Sequence, residues 1–430
     1  MAIDVIVLGG GLAGKAAALH LAKAGLCVVC IEPDEPVRPP LGESLDWSAP
    51  DLLQALGLPM EDLIAARMAT WKRHVSLKMS DGCSANYDPS PWLGEAPLHI
   101  ELRTLHVDRV RLDEELLKLT TAGGVAVVRD KIVKIERSGR RITAVYTSSG
   151  TRLSSPWYID ASGFAAHLLA REFNLSSVNQ GPAKVAIWTY FPVTDPVEGT
   201  TLYMDATPGE YLDWVWEIPV NPQTVSVGYV ATGAATKAKR EQGLPVEDIF
   251  RAQLRRFPRF EPLIPQIDPA ALNVTSFRSR VFRGTAGPNW LIAGEAASMV
   301  DPMTANGLTA ALRHAAEASA LILKYRKRGS LPLRARFAYS FRLAQVASFF
   351  NSGIEKIIYQ PQVRSRLGME QAGTIYTSPA WSMNVVYARL KPQGLISTGL
   401  YSVLLGSFRT SAWILYRFCK WRGSSAEAAA

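Results

Sequence analysis

Residues 4–34 read DVIVLGGGLAGKAAALHLAKAGLCVVCIEPD. An apolar strand over Val5–Leu8 runs straight into Gly9, Gly11 and Gly14 at G-x-G-x-x-G spacing. A helix with Ala and Leu on one face follows, and a second apolar strand ends at Glu32. The glycines permit a tight turn, close approach of a pyrophosphate, and close contact between helix and strand. The helix start offers amide N–H groups and partial positive charge to phosphates. Glu32 is placed to accept the ribose hydroxyls. The motif therefore assigns dinucleotide binding to Gly9, Gly11, Leu12, Ala13, Gly14 and Glu32, without separating FAD from NAD.

The 430-residue chain is long enough for two or three domains with a large core. Its hydrophobic content of 48% and charged content of 20% are ordinary for a globular protein. The formal charge of +9 suits an anionic cofactor, an acidic partner or a membrane surface equally well. No Lys/Arg run is interleaved with aromatics, so nucleic acid is not expected. Four cysteines, at 27, 30, 83 and 419, do not make a disulfide framework. Cys27 and Cys30 fall in a buried-strand pattern, where residues three apart face opposite ways. Core packing is expected for them, against a metal or redox role, and no metal site is assigned. No basic leader or cleavage pattern precedes the first strand, so the cytoplasm is the expected compartment.

Three later segments narrow the cofactor. LHVDRVRLDEELL (105–117) carries Arg109 four residues before Asp113 on the start of an amphipathic helix. PWYIDASGF (156–164) is a strand ending in Asp160, Ser162 and Gly163. NWLIAGEAASMVDPMTANGLTAALRHA (289–315) is a strand, a Gly-Glu turn, Asp301-Pro302, and a helix from about Gly307. In this order and spacing they resemble the FAD-binding framework of the p-hydroxybenzoate hydroxylase fold class. The resemblance implies FAD, held also by Ser44, Arg109, Asp160, Gly294, Glu295, Pro302, Gly307 and Leu308. Glu295 takes the position of the acid that binds the ribityl chain, where the family more often has Asp. Pro302 and the amides of Asn306–Leu308 fall beside the flavin ring, at the positive end of a helix.

Between these anchors KVAIWTYFPV (184–193), TLYMDAT (201–207), DWVWEIPV (213–220) and TVSVGYVAT (224–232) alternate as strands with Pro/Gly turns between them. IFRAQLRRFPRF (249–260) reads as a helix. The expected fold class is α/β plus an antiparallel sheet: a Rossmann-like FAD-binding domain, an inserted β-sheet substrate domain, and a helical C-terminal region. FAD-binding parts are expected at 1–70, 101–165 and 276–330. A substrate-side insertion is expected at 71–100, the antiparallel sheet at 166–275, and the helical region at 331–430. Within that region GLISTGLYSVLLGSF (394–408) is uncharged but short for a membrane span, and Arg389, Lys391, Arg409, Arg417, Lys420 and Arg422 flank it. It reads as a helix packed on the core, a surface for a protein partner, or an interfacial membrane helix, with membrane contact not favoured.

Three stretches resemble the flavin-dependent halogenases more narrowly. PLGESLDWSAPDLLQALGL (40–58) is similar to their Gly-Glu-Ser/Ala segment. ATWKRHVSLKM (69–79) follows at the distance of an essential lysine, which falls on Lys72; Lys78 is close by, and a solvated surface lysine is the plain alternative. Residues 214–219 are a complete W-x-W-x-I-P. In that family the two tryptophans lie near a channel between flavin and substrate, although strand alternation alone would put Trp214 and Trp216 on one face.

In this class, reduced flavin and oxygen give a C4a-hydroperoxide with an electrophilic distal oxygen. A hydroxylase lets an electron-rich ring attack that oxygen. A halogenase lets halide attack, then passes hypohalous acid to a lysine that works beside a glutamate. The position matching that glutamate is Thr304, and no acid stands between Asp301 and Glu317. The sequence therefore favours FAD-dependent hydroxylation of an electron-rich ring, an indole or tryptophan, with Lys72, Trp216, Thr304 and Asn306 as the catalytic set.

The resemblance to the flavoprotein monooxygenases that mature tryptophylquinone cofactors further implies a small protein or peptide carrying the target Trp as substrate. NADH or NADPH, directly or through a reductase, is the implied electron donor. The alternatives are a flavin-dependent halogenase of a free or carrier-bound aromatic, and a prenyl or polyene reductase of the same fold.

Overall fold

The computed structural model describes residues 2–34, 41–80, 84–87, 103–194, 198–205 and 210–366, with isolated positions between these and scattered helical positions over 399–418. Arg389, Lys391, Lys420, Arg422, Cys83, Cys419 and most of 394–408 lie outside the described residues.

A five-stranded parallel sheet forms the base, in the order Trp290–Ile292, Trp157–Asp160, Val5–Leu8, Val28–Glu32, Ala126–Arg129. Its four strands other than Ala126–Arg129 are buried throughout and largely apolar because both of their faces are covered; the edge strand Ala126–Arg129 is partly exposed. Val5, Ile6, Val7 and Leu8 are completely buried, each side chain contributing roughly 1.5–3 kcal/mol of burial. The helices Leu12–Lys23 and Gly307–Tyr325 pack against one another, and Leu12, Ala16, Leu308 and Leu312 share one core cluster with the sheet. Cys30 is buried on the second strand and its thiol is pushed up to about 12 by burial; Cys27 is half-buried. Among the described residues no cluster of His, Cys, Asp or Glu has the makings of a metal site.

Above this base lies a seven-stranded sheet, ordered Asn273–Phe277, Lys184–Pro192, Thr224–Thr232, Asp213–Asn221, Thr200–Asp205, Val75–Met79, Ser84–Tyr87. Pairing is antiparallel except between Thr200–Asp205 and Val75–Met79, which run parallel. Period-two alternation divides its residues between two cores. Val215, Val227 and Tyr229 face the helix Val246–Leu254. Trp188, Trp214, Trp216 and Ile218 face the other way, into a second core with Met299, Met303 and Tyr359.

Three sequence expectations change. The insertion expected over 71–100 is not a separate unit, because Val75–Met79 and Ser84–Tyr87 complete this same sheet. The strand Ala69–Lys72 pairs instead with Thr104–Val107. The large sheet also runs past the expected limit of 275, to Phe277. The helix expected over 249–260 stops at Leu254. Pro258 has no N–H for a helical bond and disfavours helical geometry before it, and Phe257 is extended at φ −128°. A separate 3-10 turn, Pro258–Phe260, follows.

The C-terminal region is helical where described: Leu333–Gly353 runs into a π-helical turn, Ile354–Ile358, and then Pro361–Arg366. Arg409 reaches back to donate to Gln345 Oε1 at 2.7 Å. Among the described residues no helix is long and apolar enough to cross a membrane.

Candidate active site

Between the large sheet and the segments that follow the parallel strands lies a cavity of about 830 Å³. Gly11, Leu12 and Ala13 of the glycine motif form one end; Leu41, Gly42, Glu43, Ser44 and Arg109 form a side. Glu295, Pro302, Gly307 and Leu308 line the base, and Trp188, Trp214, Trp216 and Ile218 the sheet side.

The glycine motif shapes this end through backbone contact. Gly9 has φ +108°, and a Cβ there would come within 2.4 Å of the Ala161 carbonyl. By contrast, a Cβ on Gly11 would meet nothing within 4 Å, so the turn opens on the cavity there. Gly14 is pressed against the Gly9 carbonyl, and Gly294 lies against Ala13. Glu32 packs on Gly10 at the end of the second strand, 2.7 Å from Arg129 Nη1 and 3.7 Å from Lys15 Nζ.

Asp108 caps the helix Arg109–Ala122 by accepting from Arg111 N at 3.2 Å. This fixes Arg109, which donates to the Gly42 carbonyl at 3.0 Å and pairs with Asp113 at 3.3 Å. Its Nε is buried without a hydrogen-bond partner, as is Ser44 Oγ. Such orphaned polar atoms on a cavity wall call for a polar occupant. Glu295 faces the same space, and burial raises its carboxyl above the usual range. Gly-turn amides, a guanidinium, a hydroxyl, an acid and the N-terminal end of Gly307–Tyr325 fit FAD.

Eight of the residues expected at the site stand behind the wall, Gly9 and Gly14 of the glycine turn among them. Gly294 is packing, as described above. Asp160 is fully buried and accepts from Ser162 N at 3.0 Å and Leu169 N at 2.7 Å, holding the turn that presents Ala161 and Gly163. Glu32 is engaged with Lys15 and Arg129. Thr304 turns its hydroxyl back to the Asp301 carbonyl at 2.8 Å. Asn306 donates its amide to Asp46 Oδ2. Lys72 is 3% exposed; its ammonium donates to the Leu45 carbonyl at 3.1 Å and lies 5.2 Å from the centre of the Trp47 ring. Lys72 is thus no surface lysine, and burial brings it down to about 8 while Asp46 draws it back up. Lys78, by contrast, is only half-buried.

The two tryptophans have separate anchors. Trp214 Nε1 donates to Tyr359 Oη at 2.9 Å, and Trp216 Nε1 to Ser226 Oγ at 3.0 Å. The Trp216 ring lies flat over Gly228, where a Cβ would come within 2.1 Å of it. Tyr359 donates in turn to Asp301 Oδ1 at 3.0 Å, and Lys184 bridges Asp301 and Glu355 at 3.1 Å each.

Sequence reasoning missed Glu43, Trp188, Asp46 and this ionic cluster. Glu43 had a visible signal, an acid between Gly42 and Ser44. Lys184, Asp301 and Glu355 come from distant segments, which spacing cannot relate.

The family model for tryptophan halogenase matches residues 96–328, more than half of the chain, and an FAD binding domain model matches 4–75. A tryptophan 2-halogenase of Chondromyces crocatus is 28% identical over 417 residues, covering 92% of this chain and 76% of that protein. A menaquinone reductase of Mycolicibacterium smegmatis is 28% identical over 314 residues, covering 71% and 72%. Among solved structures, the flavin-dependent halogenase CmlS superimposes with a TM-score of 0.72 at 20% identity, covering 96% of this chain and 77% of that one, a likeness of fold. The chain is an FAD-dependent enzyme by family, and it belongs to the tryptophan halogenase family.

Proposed function

We propose that this protein is a flavin-dependent halogenase of an electron-rich aromatic ring. The sequence favoured hydroxylation because no acid stands between Asp301 and Glu317. The matching family model and the relative that covers 92% of this chain support the halogenase alternative better. The observation that carries the proposal is the buried Lys72, held one residue from the cavity-lining Ser44.

Bound FAD, reduced by NAD(P)H or a separate reductase, would supply oxygen activation. The chain's own residues do the rest. Gly11, Ser44, Arg109, Glu295, Gly307 and Leu308 hold the cofactor. Trp188, Trp214 and Trp216 exclude water from the path to the substrate. Lys72, held behind the wall on the Leu45 carbonyl, has further ammonium N–H groups that would hydrogen-bond the electrophilic halogen species and orient it.

Asp46 supplies the acid that the segment after Asp301 lacks. Its side chain is fixed by Ser48 N at 2.8 Å and by Asn306, its backbone by Thr104 Oγ1 at 2.8 Å, and its charge acts on Lys72. Asn306 is then a positioning residue, and Thr304 holds the turn that follows Asp301.

The test is to photoreduce the FAD-loaded enzyme and mix it with oxygen and bromide in the presence of a small-molecule trap for hypobromous acid. Brominated trap formed in step with flavin reoxidation is expected. Hydrogen peroxide released with the trap untouched would overturn the proposal and return the hydroxylase reading.

A further inference from the structure

Glu43 lines the cavity yet is only 2% exposed. Tyr190 Oη, on Lys184–Pro192, donates to its Oε1 at 2.7 Å. Ser226, on Thr224–Thr232, accepts from Trp216 Nε1 at 3.0 Å, and its hydroxyl favours the ionised Glu43 carboxylate. From the start of the helix Arg109–Ala122, Arg109 draws its charge out and Asp108 opposes it. No cation pairs with Glu43 directly among the described residues; its hydrogen-bond partners are hydroxyls, which can pass protons on.

We propose that Glu43 is the proton-transfer group of this cavity, moving protons between the reacting atoms inside and Tyr190 on its outer side. Tyr190 is half-buried, so it leads outward from a carboxyl that is otherwise closed off. Burial holds Glu43 up at about 7, so both of its forms are populated near neutrality, the condition for efficient exchange.

The inference rests on FAD binding and is independent of halogenation. Without halide or substrate, reduced flavin anion, oxygen and one proton give oxidised flavin and hydrogen peroxide. The flavin gives up two electrons and its proton, and oxygen takes both electrons. Glu43 provides the second proton of the peroxide and is recharged through Tyr190.

Photoreduced, FAD-loaded protein is mixed with oxygen, halide absent, over about pH 5 to 9. Reoxidation should slow as pH rises through about 7 in the native protein. In Glu43→Gln it should be slower at the acid end by about 100-fold and flat with pH. In Tyr190→Phe the limb should persist with its midpoint moved up, because the Tyr190 bond favours the ionised carboxylate. Infrared difference spectra give a readout apart from turnover: a protonated-carboxyl band that disappears over the same pH range and is missing in Glu43→Gln. A Glu43→Gln profile that follows the native one, or no titrating carboxyl band, would overturn the proposal while leaving halogenation standing. If Glu43→Gln fails to retain FAD, the midpoint shift in Tyr190→Phe decides it, an unmoved midpoint counting against Glu43.

Discussion

The Lys72 ammonium donates to the Leu45 carbonyl at 3.1 Å across 27 positions of sequence, tying a strand edge to the segment that walls the cavity. Unlike Lys184, which is buried between Asp301 and Glu355, Lys72 has no carboxylate within ion-pair distance among the described residues, and burial lowers it to about 8, the mark of a candidate functional group.

Replacing it separates chemistry from stability. Lys72→Met should cut bromination by about 100-fold or more, while flavin reoxidation continues. The same variant reads the buried charge. Between about 8 and 10.5 the native state binds fewer protons here than the unfolded chain, so native stability should rise with pH through that window. Lys72→Met should lack this rise, which corresponds to roughly 3 kcal/mol. Denaturant unfolding at several pH values measures it, and parallel curves for the two proteins would contradict the assignment.

Glu43 has the opposite sign. Its carboxyl keeps a proton up to about 7 that the unfolded chain releases near 4.5, so native stability should fall as pH rises across that window. In FAD-free protein, the stability difference should move in favour of Glu43→Gln by up to about 3 kcal/mol between the two ends.

Gly228 exists for the Trp216 ring. Gly228→Ala places a methyl within 2.1 Å of that ring and should cost about 1–3 kcal/mol. Adding Trp216→Leu should return part of that loss, a coupling visible in a double-mutant cycle of melting or denaturant midpoints.

Lys184→Met would leave Asp301 and Glu355 buried without their shared countercharge. The expected loss is about 3–5 kcal/mol, measured by denaturant unfolding. Tyr359 and the Asp301-Pro302 turn depend on the same cluster, so Trp fluorescence should shift before global unfolding.

Gly9→Val sets a branched side chain against the Ala161 carbonyl at a backbone angle of φ +108°. The purified variant should carry little or no FAD, which its absorbance ratio reports directly. Full FAD occupancy would show that the motif is not what positions the cofactor.

The sequence by itself determined the FAD framework and the alternating sheet. Both are local in origin: G-x-G-x-x-G needs its glycines at fixed offsets, and a strand's faces follow from period two. Trp214, Trp216 and Ile218 could be put on one face from spacing alone, and Arg109 on the first turn of its helix. Only the tertiary structure decided which face the tryptophans present, that Lys72 is buried, and that Asp46 acts on it although the segment after Asp301 holds no acid. It also decided that Asp160 and Thr304 serve backbone turns. Burial and charge proximity depend on what long-range packing brings together, and linear spacing carries no record of that.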